Sequence, residues 1–140
     1  MATKTETHFE LSRTYATGQA TLFNAFIDPD TLRHIWGVST ISVDARPRGH
    51  TRAELSFASE NWNFTITYLE VIPYERLRWT IHFDRFPTKE PRATLSFSTV
   101  PNGARVTVRM ENFESAQECG DNKQAWEGAL AKLADRLRGT

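Results

Sequence analysis

From Ile41 to Phe113 apolar and polar positions alternate in one short run after another, and a helical stripe follows. Trp126, Leu130, Leu133 and Leu137 recur at i, i+4, i+7 and i+11, which places them on one helix face. Ahead of the strands stand one further strand and two short helices. His8 to Tyr15 alternates, with Phe9, Leu11 and Tyr15 on one parity. Arg13 shares that parity, and its stem is expected to pack while its head reaches water. Thr17 is placed to cap a first helix carrying Leu22, Phe23, Phe26 and Ile27 on its inner side. Asp28 then caps a second helix, Pro29 takes its first position, and Gly37 after Trp36 supplies a left-handed exit.

The strand run divides by its punctuation. Ile41, Val43 and Ala45 lead into a turn through Pro47 to His50, and Ala53, Leu55 and Phe57 follow. A turn at Glu60-Asn61 opens a long strand with Trp62, Phe64, Ile66 and Tyr68 on one side. Pro73-Tyr74-Glu75 ends it, because proline cannot donate to a ladder. Leu77, Trp79, Ile81 and Phe83 alternate strictly with Arg78, Thr80, His82 and Asp84, the pattern of a sheet with one buried face. After a loop holding Pro87 and Pro91, Ala93, Leu95 and Phe97 pair with Val106, Val108 and Met110 across Pro101-Asn102-Gly103. Asp121 with Gln124 three residues later has the form of a capping box for the closing helix, which ends at Gly139. The pattern predicts an α+β fold in which a curved antiparallel sheet wraps around a long C-terminal helix, with two short helices after the first strand. No repeat or linker divides residues 1–140, so one domain is expected.

Composition narrows the function classes. Lys plus Arg and Asp plus Glu number 17 each, so no overall field draws the chain to nucleic acid or anionic lipid. The cluster Arg46, Arg48, His50 and Arg52 reads as a solvated hairpin. No apolar run approaches membrane-spanning length, and the polar stretch Met1 to Thr7 lacks the core of a signal peptide. A lone Cys119 excludes an intrachain disulfide and suits a reducing, cytoplasmic setting. In such a setting the sequon Asn63-Phe64-Thr65 stays unglycosylated.

Candidate chemistry is sparse. The sequence has no nucleophile elbow, phosphate loop or dinucleotide fingerprint. His8, His34, His50 and His82 are scattered without ligand spacing, so neither a metal nor a cofactor is expected, and no catalytic residue is nominated. Glu70 continues the inner parity of Phe64, Ile66 and Tyr68. There it would need a partner, and Arg13 is a candidate. A bulge before Pro73 would instead turn Glu70 outward, because one slipped residue reverses every facing.

Aromatic residues are the positive signal. Trp36, Phe57, Phe64, Tyr68, Trp79, Phe83, Phe97 and Trp126 fall on predicted inner faces, joined by Ile81 and Met110. Taken singly, each is an ordinary core residue. Together they exceed what a thin two-layer core holds and suit an apolar pocket with a few polar groups. These ten are the candidate ligand-binding residues, with Arg13 and Glu70 as polar candidates. The Tyr68 hydroxyl and the Trp79 and Trp126 indoles want hydrogen-bond partners when buried.

These residues also resemble a known family. Ser12-Arg13-Thr14-Tyr15-Ala16, the first helix and Asp28-Pro29 are similar to the opening of the domain found in activators of the Hsp90 ATPase, part of the START-like, helix-grip superfamily. Val71-Ile72-Pro73-Tyr74-Glu75-Arg76-Leu77-Arg78-Trp79-Thr80 resembles its mid-chain segment, and Ala125-Trp126 with Leu130, Leu133 and Leu137 its Trp-led closing helix. The likeness runs from about Phe9 to Leu137. Two departures touch one cavity wall: Ile35-Trp36-Gly37 offers one Trp where the family often has two, and Pro47-Arg48-Gly49 replaces Pro-Gly-Gly. The resemblance implies a fold with a hydrophobic cavity, as in lipid carriers, hormone receptors and aromatic polyketide cyclases. The chaperone-engaging N-terminal domain of the eukaryotic co-chaperone has no counterpart expected here, so a chaperone partner is not expected. Fold alone does not settle function.

Three readings follow. The first is binding of a small hydrophobic or aromatic molecule between sheet and closing helix, with a homodimer left open. The second is a cyclase-like or hydrolase-like enzyme using Tyr68, Glu70 or Arg13 for proton handling, which requires at least two of them to converge. The third is an interaction module that docks a protein at the sheet edge or the Trp36 region.

Overall fold

The computed structural model describes residues 7–138, with the side chains of Phe57 and Arg138 outside the description. Gly139, expected to end the last helix, also lies outside the described residues. Strand β1 (Phe9–Tyr15) is followed by helices α1 (Gln19–Ala25) and α2 (Pro29–Trp36), then by strands β2 (Thr40–Val43) and β3 (His50–Glu54). A small ribbon, β4 (Ser56–Phe57) and β5 (Glu60–Asn61), precedes β6 (Phe64–Ile72), β7 (Arg76–Phe83), β8 (Arg92–Val100), β9 (Gly103–Glu111) and helix α3 (Ala116–Arg138). Seven strands form one antiparallel sheet in the order β1-β9-β8-β7-β6-β3-β2. The helix pair thus carries the chain from one sheet edge to the other. The sheet stays open, and its apolar face is covered by the helices. This is the predicted α+β helix-grip arrangement.

Local chemistry explains the frame. In α2 the Asp28 carboxylate accepts from Thr31 N at 3.0 Å, Pro29 occupies the first turn, and Gly37 exits at φ 68°. Thr31 Oγ1 in turn accepts from Arg136 Nε at 3.1 Å, tying α2 to α3. On α3, Trp126, Ala129, Leu130 and Leu133 are buried and Leu137 is half-buried, as the helical spacing demands. Tyr15 fastens the same helix to β1, its hydroxyl donating to the Leu130 carbonyl at 2.8 Å.

Several local expectations are corrected. The first residue flanking α1 is Gly18, with no side-chain cap, so Thr17 does not serve. Helix α3 begins before Asp121: Ser115 Oγ accepts from Glu118 N at 3.1 Å, an N-terminal side-chain cap. Asp121 lies inside the helix and accepts from Gln117 at 3.0 Å. The turn expected at Glu60-Asn61 falls earlier, at Ala58 and Ser59 with φ 52° and 64°, the paired positive values that close a two-residue hairpin. Trp62 therefore precedes β6 instead of sharing its inner parity. In the β8–β9 hairpin, Val100 pairs with Gly103, leaving Pro101 and Asn102 as the loop. Gly103 is required for another reason, since a Cβ there would collide with the Tyr15 carbonyl.

Candidate functional site

Between the sheet and α3, beside the end of α2, lies a cleft of about 410 Å³. The sheet contributes Phe64 and Ile66 from β6, Trp79, Ile81 and Phe83 from β7, and Met110 from β9. Helix α2 adds Ile35 and Trp36, and α3 adds Trp126, Gly128 and Ala129. Polar side chains reach it at Asn122 and Lys132.

Trp36 organises the wall. Its ring meets Phe64 at 6.0 Å, Trp79 at 6.3 Å and Trp126 at 6.2 Å between centroids, each edge to face, the geometry aromatic quadrupoles favour. Phe64 leans on Phe83 at 5.4 Å. The Trp126 indole N–H donates to the Met110 sulfur at 3.0 Å. That bond satisfies the donor without a polar oxygen and leaves the wall greasy.

Seven of the ten sequence candidates line this cleft: Trp36, Phe64, Trp79, Ile81, Phe83, Met110 and Trp126. Tyr68 and Phe97 do not. Tyr68 is buried beside Trp79, and its hydroxyl lies 2.7 Å from Thr51 Oγ1. Burial raises its pKa, against the opposing hydrogen bond from Thr51. Phe97 packs under α1 against Phe23 and Phe26, at 5.3 and 5.7 Å. The Phe57 side chain lies outside the described residues.

The polar candidates do not converge. The ladder between β6 and β7 slips between Tyr68 and Glu70, so the bulge turns Glu70 outward. There its carboxylate takes Arg76 Nε at 2.6 Å, and that bond holds its pKa below the usual carboxylate range. Arg13 is exposed on β1, its guanidinium 5.6 Å from the Tyr15 ring centroid. Three strands separate β1 from β6, so Arg13 and Glu70 stand roughly 19 Å apart along the sheet at its ordinary strand spacing. A carboxylate partnered by Arg76 and an arginine four strands away cannot share a proton with Tyr68.

His82 and Arg52 are occupied elsewhere. His82 Nε2 lies 2.8 Å from Glu90 Oε2, and Arg52 grips Asp84 through two bonds of 2.8 and 2.6 Å. Among the described residues no group of three metal-ligating side chains gathers. Also among them, no helix is long and apolar enough to cross a membrane.

Sequence reasoning missed Ile35, Ile66, Gly128 and Ala129 as wall residues. Ile66 shares the parity of Phe64, and Ala129 stands one turn beyond Trp126. Both could have been found from spacing. Gly128 carries no hydrophobic signal at all.

The model of the family described as Activator of Hsp90 ATPase homolog 1-like protein matches residues 16–138. Among solved structures, a protein from Chromobacterium violaceum superposes with a TM-score of 0.82 at 24% identity, covering 92% of this chain and 96% of its own. A Nitrosomonas europaea protein gives 0.79 at 19% identity, over 98% and 97% of the two chains. A Mycobacterium smegmatis protein gives 0.80 at 16%, over 94% and 91%. At these identities the likeness is one of fold. No curated protein sequence matches the chain at a significant level.

Proposed function

The chain belongs to the Activator of Hsp90 ATPase homolog 1-like family, and from that premise we propose that it binds a small apolar or aromatic molecule in the cleft between sheet and α3. One observation carries this reading. A volume of about 410 Å³ is walled by aromatic and aliphatic side chains, within the range of small-molecule pockets. Burial of an apolar body there removes both its surface and the cleft's from water. The polar groups at the rim, Asn122 and Lys132, leave room for solvent-facing substituents. The chain is taken to act as one domain in a reducing, cytoplasmic setting, which suits a buried Cys119.

The enzymatic reading has no observation in its favour, because Tyr68, Glu70 and Arg13 stand apart. Displacement of an environment-sensitive apolar dye by a panel of aromatic hydrocarbons tests the binding reading. Native mass spectrometry then reads stoichiometry and any self-association. Saturable displacement, lost when the cleft is plugged, is the expected result. A protein that binds neither dye nor hydrocarbon would remove the proposal.

A further inference from the structure

A second cavity of about 420 Å³ adjoins the cleft and shares Phe83 and Asn122 with it. Its other walls are Trp62, Phe86 and Lys89 on the sheet side and Glu118 and Asp121 on the first turns of α3. Two of its lining residues carry unspent polar atoms. Trp62 Nε1 and Glu118 Oε1 are both buried without a hydrogen-bond partner. Such orphans are rare, and leaving a charged one unpaired is the costlier case.

Neither side chain is free to swing toward a partner. Glu118 is held through its other oxygen, which takes Lys89 Nζ at 2.6 Å. The Trp62 ring lies under the Arg85 guanidinium at 4.6 Å and edge to face with Phe83 at 6.1 Å, while Arg85 is itself anchored to Glu60 at 2.9 Å. One fixed donor and one fixed acceptor therefore remain. The charged side chains lining the cavity are Lys89, Glu118 and Asp121, so the local balance is acidic and opposes an anion.

We propose that this second cavity is the polar-group subsite for the ligand of the cleft, and that the ligand carries a neutral hydroxyl on its apolar body. The hydroxyl donates to Glu118 Oε1 and accepts from Trp62 N–H, satisfying both orphans. A carboxylate would meet Glu118 and Asp121 as like charges. Phe83 and Asn122 border both cavities, so the ligand's apolar body and its hydroxyl would lie on either side of them. This inference rests on the binding reading of the cleft.

The test is calorimetric titration at neutral pH with three matched probes: butylbenzene, para-butylphenol and para-butylbenzoate. In a purely apolar pocket the phenol would bind no better than the hydrocarbon, because its hydroxyl must be dehydrated. With the subsite, the phenol binds about tenfold tighter than butylbenzene, and the benzoate binds more weakly than the phenol. Trp62→Phe, which removes the N–H and keeps a ring, lowers the phenol-to-hydrocarbon affinity ratio toward unity. Glu118→Gln, which keeps the side-chain shape and removes the charge, lowers it as well. A protein that binds butylbenzene with no gain for the phenol overturns the subsite and leaves the cleft reading standing. So does a ratio unchanged in both variants. Binding of none of the three probes removes both readings.

Discussion

Gly128 lies within the 23-residue helix α3 and on the wall of the cleft, and a Cβ placed on it meets no atom within 4 Å. Glycine in a helix interior costs about 0.8–1.0 kcal/mol relative to alanine. Nothing in the packing demands that cost here. Gly128→Ala should therefore stabilise the protein by about 0.7–1 kcal/mol, raising Tm by roughly 3 °C for a chain of this size. Leucine has almost the same helix propensity, so Gly128→Leu should keep most of that gain while its isobutyl group occupies the cleft.

Gly120 provides the control. It is also in α3 with no atom within 4 Å of a Cβ, yet it lines neither cavity. Both alanine variants should gain stability equally in urea unfolding. Only Gly128→Leu should weaken displacement of the apolar dye, by about tenfold or more if it takes the ligand's place. A Gly128→Ala variant destabilised by more than about 0.5 kcal/mol would show that α3 is seated differently from this description, since no overpacking is available to explain it. Undiminished dye binding by Gly128→Leu would refute the cleft as the ligand site.

Two further outcomes are expected. Trp126→Ala removes a buried anchor that holds Met110 and packs against Phe26 and Trp36, and should cost roughly 3–5 kcal/mol in chemical denaturation. A loss below about 1 kcal/mol would refute the gripping role of that face. Burial pushes the Tyr15 hydroxyl up from 10.0 to about 12, against the lowering influence of Arg13. The folded chain thus keeps a proton that the unfolded chain releases above about pH 10, so stability is full below that pH and falls as pH rises toward 12, by up to about 2–3 kcal/mol. Tyr15→Phe should lack this part of the alkaline loss when unfolding midpoints at pH 8 and pH 11 are compared; equal slopes in both proteins would refute it.

The frame of the fold was legible because it is written in two periods. Strict alternation in Leu77 to Phe83 sets β7, whose Leu77 and Trp79 are buried while Ile81 and Phe83 are half-buried against the cleft. The i, i+4, i+7 spacing from Trp126 sets the buried face of α3. Side-chain caps were legible where residue order is unambiguous, as at Asp28-Pro29. At α3 the order misled: the Asp121–Gln124 spacing mimics a cap, but Ser115 accepts from Glu118 N, so the helix begins earlier and runs through Gly120. Tertiary packing of the stripe carries the helix through that glycine.

Parity left both facings of Glu70 open, and a slip in register decides between them. Glu70 reads as inward from Phe64, Ile66 and Tyr68, and a single irregularity after Tyr68 sends it out to Arg76. With that slip the acid-base reading loses its carboxylate, and the question of function passes to shape. Shape is where the sequence is quietest. Tyr68 and Phe97 were counted as cavity lining for being large and inward, yet each is fully used by neighbours, Tyr68 by Thr51 and Trp79, Phe97 by Phe23 and Phe26. An inner aromatic side chain fills space as readily as it borders it. What opens the cleft instead is a lack of bulk opposite Trp36, Phe64 and Trp79, supplied by Gly128 and Ala129 beside Trp126. Small residues on a helix face carry no hydrophobic periodicity, so the pattern that found the walls could not find the space between them.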